Sequence, residues 1–389
     1  MKSHLDQIST LSGRRRLDGL PLGENAVSVD EHRAGALLFE ARQCLCPKRI
    51  RMNSRSALVT AGSVGLLLMA STAAARVAQA DDLPPGAPPG VCAVDAEYGP
   101  PLSSATTTAA RLVGGQAFLE GPVWVADHGF LLMSDMAAAT GPQRVQPSTI
   151  LRYTPGSAVV ETAIADSGSN GLALSPDGQS IVAATHDQRS ISRYQLADSS
   201  RTVVAADFLG AAFNSPNDVT IRSDGVVYFT DPDFQRGGRA DAMKGRTSVF
   251  RVSGGAVSLV DDGLREPNGI ALSPDGGTLY VGAYGENKIY SYPVRADGST
   301  GARTPFASVA GPDGVTIDCA GNVYWASGRD GLVHVFAPEG AELGTVASGA
   351  GTTNVAFGGD DRQTLFITSG RTGDSGLYSV RLGVPGYPY

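Results

Sequence analysis

From residue 120 onward, one polar residue followed by a short apolar run returns six times. The six are Glu120, Asn170, Asn217, Asn268, Asp313 and Asn354. Their surroundings read Glu120-Gly121-Pro122-Val123-Trp124, Asn170-Gly171-Leu172-Ala173-Leu174, Asn217-Asp218-Val219-Thr220-Ile221, Asn268-Gly269-Ile270-Ala271-Leu272, Asp313-Gly314-Val315-Thr316-Ile317 and Asn354-Val355-Ala356-Phe357. Counting seven and eight places on from the first three asparagines reaches Asp177-Gly178, Asp224-Gly225 and Asp275-Gly276. The same count from Asp313 reaches Ala320-Gly321. A phase held within units as well as between them marks one repeated structural element.

The fourth unit shows the plan. An apolar run over 269–273 meets the turn Pro274-Asp275-Gly276, and strand-like segments follow over 278–283 and 288–293. Asp-Gly between two apolar runs is a strong hairpin signal. Spacings of 50, 47, 51, 45 and 41 residues between the phased positions leave room for four strands per unit. The expectation is therefore an all-β chain, a six-bladed β-propeller with four-stranded blades over residues 106–389. A polar, β-branched segment over 106–113 is expected to join the last repeat. Together with a strand over 377–382 it would complete the sixth blade from both termini and remove an exposed sheet edge.

Composition agrees. Glycine at 49 and proline at 23 residues, with 42% hydrophobic and only 18% charged residues, suit short strands and tight turns better than long charged helices. The first stretch stands apart. Residues 49–55 are basic, 57–74 form a nearly uncharged apolar run, and Val77-Ala78-Gln79-Ala80 ends in small residues before Asp81-Asp82. This reads as a secretory signal peptide over 52–80, started at Met52 and cleaved after Ala80. Thr60, Gly62, Ser63, Gly65 and the many alanines argue against a membrane anchor. Residues 1–51 lack apolar periodicity and are read as a misassigned or disordered extension. Residues 81–105, rich in proline and glycine, are read as a linker over the surface. The mature protein is then expected to be periplasmic or secreted.

Without residues 1–80, 20 Lys and Arg stand against 32 Asp and Glu. Such an acidic surface argues against nucleic acid or an anionic membrane as a partner. Cys44 and Cys46 fall in the discarded segment, which leaves Cys92 and Cys319 either as two thiols or as a disulfide stapling the tail to one blade. The absence of Cys-x-x-Cys and His-x-x-x-His spacings argues against zinc and iron–sulfur sites of that kind.

In a propeller the inner strand of each blade runs along the axis, so residues at its start converge on one mouth of the central channel. Two carboxylates, Glu120 and Asp313, and four amides, Asn170, Asn217, Asn268 and Asn354, would meet there. Such an oxygen set suits a hard divalent cation, calcium first, with Mg2+, Mn2+ or, less well, Zn2+ as alternatives. Asn-Gly and Pro-Asp-Gly are also ordinary turn sequences. The phase separates the two uses: Asp177 and Asp275 fall between strands, whereas Asp313 aligns with Asn217 and Asn268, each preceded by proline. Asn170 and Asn354 stand open between ligand and channel cap.

The words around Glu120, Ser215-Pro216-Asn217-Asp218-Val219, Tyr228-Phe229-Thr230-Asp231-Pro232, Pro267-Asn268-Gly269 and Pro312-Asp313-Gly314 resemble the sugar-lactonase family of gluconolactonase and regucalcin. The stretch from Asn170-Gly171-Leu172 through His186 to Arg189 and Arg193 resembles its bacterial gluconolactonase branch. The resemblance spans residue 111 to the C-terminus. It implies a six-bladed propeller with one divalent metal held by Glu120, Asn268 and Asp313, with Asn217 completing the shell or contacting substrate. It also implies hydrolysis of a small sugar lactone to the aldonic acid. Regucalcin-type members carry arginine two places before the Asn217 position; this chain has Ser215 there, so its substrate grip differs at that point.

The expected chemistry is polarisation of the lactone carbonyl by the metal for attack by water. Asp313 is the candidate catalytic residue that orients or deprotonates the water. Candidate substrate-binding residues are Asn217, Asn170, His186 and Arg236. His186 reads equally as a hydrogen-bonded residue of the channel wall, and Arg236 as a solvated member of the polar, glycine-rich segment 233–239. Two other functions compete. One is a paraoxonase-like esterase or lactonase for non-sugar substrates, for which the histidines are not placed in phase. The other is a non-catalytic ligand- or protein-binding propeller, against which two converging carboxylates weigh.

Overall fold

A computed structural model describes residues 92–93, 96–349, 351–371 and 373–387. The expected extension over 1–51 and signal peptide over 52–80 lie outside the described residues. Among the described residues six blade sheets follow one another, with a small two-stranded hairpin, Asp207–Phe208 and Ala211–Ala212, after the second; in each blade the innermost strand comes first within the repeat. Blade one is Leu119–Val125, Phe130–Met136, Ser148–Tyr153 and Glu161–Ile164; blade two is Leu172–Leu174, Ser180–Thr185, Ser190–Gln195 and Arg201–Ala205. Blade three is Val219–Ile221, Val227–Asp231, Ser248–Ser253 and Ala256–Asp261; blade four is Pro267–Leu272, Thr278–Ala283, Lys288–Pro293 and Thr304–Ala307. Blade five is Pro312–Ile317, Val323–Ser327, Leu332–Phe336 and Glu342–Ala347. Blade six is Thr352–Gly358, Thr364–Ser369 and Ser375–Arg381, with Ala110–Gln116 as its outer strand.

The chain is thus an all-β, six-bladed propeller. Its N-terminal segment differs from the single strand expected over 106–113. Thr106–Thr108 runs parallel to Glu342–Ala347 and adds a fifth strand to blade five. The Ala109 N–H still donates to the Ala347 carbonyl at 2.8 Å, and only from Ala110 does the chain pair with Ser375–Arg381 of blade six. Burial explains the detour: Ala109 and Leu102 sit in the apolar cluster shared by blades five and six. The linker is likewise more than a surface strap. The Pro101 carbonyl accepts the Gly383 N–H at 3.0 Å, and Cys92 is disulfide-bonded to Cys319 with a Cα separation of 5.3 Å.

Strand Ser180–Thr185 shows why the repeats read as continuous apolar runs. All six of its residues are buried. Ile181 and Ala183 face blade one, and Val182 and Ala184 face blade three, so alternate residues serve opposite interfaces. Apolar clusters of this kind lie between every pair of neighbouring blades. The one between blades six and one joins the two ends of the ring, with Trp124 stacked on Phe366 at 5.8 Å between ring centroids. Closure brings the first and last phased residues, Glu120 and Asn354, into contact across that seam.

Candidate metal centre at the inner mouth

Around the axis the inner strands approach too closely for side chains at every position. A Cβ on Gly121 would overlap the Asn170 carbonyl oxygen, and one on Gly269 the Asp313 carbonyl oxygen. A Cβ on Gly171 would overlap the Asp218 carboxylate, and one on Gly314 the Asn354 amide. Backbone bonds cross the same gap, as where the Gly171 N–H donates to the Asn217 carbonyl at 2.7 Å. Glycine therefore follows the phased residue in four of the six units for want of space. In blades one, four, five and six the pairing with the second strand also slips at the phased residue. Such a bulge bends the strand locally and re-aims its side chains.

The phased side chains are buried at this mouth, and three carboxylates act on one another there: Glu120, Asp313 and Asp218. The Asn354 amide bridges two of them, donating through Nδ2 to Glu120 Oε2 at 3.3 Å and, more weakly, to Asp218 Oδ2 at 3.5 Å. The Gly121 N–H donates to Glu120 Oε2 at 3.1 Å, the Val219 N–H to Asp218 Oδ1 at 3.0 Å, and the Asn268 side chain hydrogen-bonds Asp313. Burial, then the Asp218 charge, pushes Glu120 up to about 8, and burial pushes Asp218 up to about 7. Asp313 is held well above the usual carboxylate range by burial first and by Glu120 and Asp218 next. No Lys or Arg among the described residues contributes to any of these shifts, so none of them balances the negative charge there.

Asn217 is fixed through its backbone, its N–H donating to the Thr230 carbonyl at 2.9 Å. The segment before it hangs on Asp231, whose buried carboxylate accepts the N–H groups of Asn214 and Ser215, each at 2.8 Å. The Ser215 hydroxyl donates to the Pro232 carbonyl at 2.7 Å and accepts the Gln235 N–H at 3.2 Å. His186 is wholly buried. Its Nε2–H donates to the Gln146 carbonyl at 2.6 Å, and burial lowers its pKa to about 4, so the ring is neutral and its Nδ1 is left as an acceptor. Arg236 ion-pairs within its own loop, with Asp233 at 3.3 Å and Asp241 at 3.9 Å. Arg239 ties that loop to blade two through the carbonyls of Asp187 at 2.5 Å and His186 at 3.1 Å. Asn170 Nδ2, His186 Nδ1, Gln235 Oε1 and Arg236 Nε are buried without a hydrogen-bond partner among the described residues.

A family model described as the SMP-30/Gluconolactonase/LRE-like region matches residues 118–371. The chain belongs to this family. It is 34% identical over 272 residues to a gluconolactonase of Zymomonas mobilis, an alignment covering 64% of this chain and 75% of that protein. It is 28% identical over 267 residues to pentonolactonase XacC of Haloferax volcanii, covering 66% of this chain and 82% of that one. Among solved structures it resembles the gluconolactonase XC5397 of Xanthomonas campestris with a TM-score of 0.61 and 30% identity, over 77% of this chain and 98% of the other.

In this gluconolactonase-like chain the structure gathers Glu120, Asn268, Asp313 and Asn354 into one bonded and electrostatic group. His186 and Arg236 take their partners from the surrounding loops instead. Sequence reasoning missed Asp218, Asp231 and Gln235. Asp218 carried a readable signal, because it occupies the place where four other units have glycine. Its side chain has room only because the position it faces, residue 171, is itself glycine.

The raised carboxylates contribute a pH-dependent part of the stability. A group whose folded pKa lies above its unfolded value, about 4 for these acids, takes up protons on folding, so stability falls as pH rises from about 4 towards 8. Asp218→Asn removes one of the three charges and relieves the other two. In chelator-treated protein this variant is expected to be more stable than wild type, with a larger advantage at pH 8 than at pH 5, as read by thermal melting. An advantage that does not grow with pH would contradict the electrostatic reading.

Proposed function

We propose that this protein hydrolyses a small sugar lactone of the gluconolactone kind to the open aldonic acid, in a divalent-cation-dependent reaction at the inner mouth. The observation that carries the reading is the group of three buried carboxylates, set among amide side chains, on which no Lys or Arg of the described residues acts. The relatives named gluconolactonase and pentonolactonase support the substrate class and the assignment as a carboxylic-ester hydrolase.

Among the described residues no three His, Cys, Asp or Glu side chains group as a metal-binding set. The shell would therefore combine the carboxylates of Glu120 and Asp313 with amide oxygens of Asn268 and Asn217. Uncompensated negative charge and all-oxygen donors fit calcium ahead of zinc, with magnesium and manganese between them. Bound there, the cation supplies Lewis-acid polarisation of the lactone carbonyl and lowers the proton affinity of the carboxylates.

Asp313 orients the attacking water and accepts its proton as the water oxygen bonds to the carbonyl carbon. The ring C–O bond then breaks, and the proton passes to the departing ring oxygen, so one water is added across the ester. Asn217 and Asn170 offer amides to substrate hydroxyls, while His186 Nδ1 and Gln235 Oε1 can accept hydrogen bonds from them. The Arg236 Nε–H is a further unpaired donor. Ser215 serves this site indirectly, by holding the loop that positions Asn217.

Glu120→Gln and Asp313→Asn are each expected to lower kcat/KM for glucono-1,5-lactone by at least about a hundredfold. Chelation is expected to abolish the activity and calcium to restore it. Near-normal turnover in both variants would overturn the site assignment. Failure of the calcium-loaded protein to open any lactone in a broad panel would favour a ligand-binding propeller.

We further propose that the protein works outside the cytoplasm, in the periplasm or secreted, since the Cys92–Cys319 disulfide suits an oxidising compartment. Mass spectrometry of the exported protein should find Asp81 at its N-terminus. A product retaining residues before Met52 would contradict the processing scheme.

A further inference from the structure

The larger cavity of the propeller lies at the other mouth. It encloses about 580 Å³, against about 60 Å³ for the channel beneath the phased residues. Its floor is the far ends of the inner strands, Val125, Leu174, Ile221 and Leu272. Glu120 and Val125 stand five residues apart on one strand, which separates the two mouths by roughly 17 Å. Among the described residues only Arg362 and Tyr387 line both cavities, so they stand between them.

Arg362 breaks the repeat. Seven and eight places after the phased residue three other units have Asp-Gly, whereas the sixth has Asp361-Arg362. The glycines of those turns have left-handed φ values of 69° at Gly178, 87° at Gly225 and 64° at Gly276; Arg362 has 55°. A side chain in that conformation costs about 1 kcal/mol, which glycine would avoid. The arginine is nevertheless only 5% exposed, and its guanidinium makes no hydrogen bond or close ion pair among the described residues. Among the described residues, Asp127, whose side chain has no hydrogen bond there, is the one charge acting on it.

We propose that Arg362 anchors a second ligand site at this mouth, specific for a small organic monocarboxylate that carries hydroxyl groups. A forked guanidinium matches a carboxylate through two parallel hydrogen bonds. The rim disfavours more highly charged anions, because Asp127, Asp177 and Asp275 line the same cavity, Arg222 is already paired with Asp224, and the Arg295 guanidinium donates to Ser299 Oγ and the Thr300 carbonyl. It also supplies acceptors for hydroxyls. Asp177 and Asp275 each use Oδ1 to accept a backbone N–H of their own turn, from Gln179 at 3.0 Å and Gly277 at 2.9 Å, and leave Oδ2 free among the described residues. The apolar floor can carry the C–H face of the ligand, and the volume lies within the range of small-molecule sites.

Gluconate is a suitable probe, with glucose, acetate and inorganic phosphate as comparisons, in calorimetric titrations of protein carrying both Glu120→Gln and Asp313→Asn. That background separates this site from the inner mouth and from the reaction proposed there. Gluconate is expected to bind at least about tenfold more tightly than each comparison. Adding Arg362→Met is expected to weaken it by at least about tenfold. Arg362→Lys, which keeps the charge but loses the fork, should fall between. Absence of gluconate binding, equal binding of glucose, or unchanged affinity in both arginine variants would overturn the proposal.

Discussion

The crowding of inner strands around the axis is the constraint on which the rest of the structure depends. Where neighbouring strands nearly touch, Gly121, Gly171, Gly269 and Gly314 admit the carbonyl or side chain of the next blade. A methyl group forced into such contacts would cost about 1–3 kcal/mol through displaced backbone. The same closeness leaves the phased side chains nowhere to go but the mouth. Glu120, Asp218 and Asp313 are consequently buried together among amides, with no Lys or Arg among the charges that act on them, and burial raises their proton affinity. Steric necessity at the glycines and unbalanced charge at the acids are two results of one geometry.

The two ends of each inner strand have been put to different uses. At its start, bulges turn carboxylates and amides inward, giving a site whose chemistry calls for a cation. At its end, Asp-Gly turns satisfy their own backbone, as Asp275 does when it accepts the Gly277 N–H at 2.9 Å. The first repeat has His128 at the glycine place of that turn and the sixth has Arg362, and of the two only Arg362 is buried. The loop over 232–246 has a third use. Held to blade two by Arg239 and to the Asn217 segment by Ser215, it buries polar atoms of Gln235 and Arg236 that have no hydrogen-bond partner among the described residues.

Much of this was legible in the sequence, for identifiable reasons. The six-fold phase revealed the propeller because each blade must repeat both its hairpin turn and its axial contact. The division between Asp313 as a mouth residue and Asp275 as a turn residue followed from position within the repeat. Other features depend on contacts between distant segments, which no periodicity carries. Asp231 acts by receiving the N–H groups of Asn214 and Ser215, and Ala109 remains with blade five because a buried cluster holds it there. The Cys92–Cys319 bond joins residues 227 apart and needed coordinates to decide it. Asp218 was hidden by its neighbour Asn217, although an acid in the glycine position of a repeat is itself a signal.

The most direct test of the central claim is a crystal structure of the protein soaked with calcium, or with manganese for its anomalous signal. A single ion at the inner mouth, touched by Glu120, Asn268 and Asp313, is the predicted result. Strong ion density elsewhere with none at this mouth would contradict the reading of those three side chains as one metal grip.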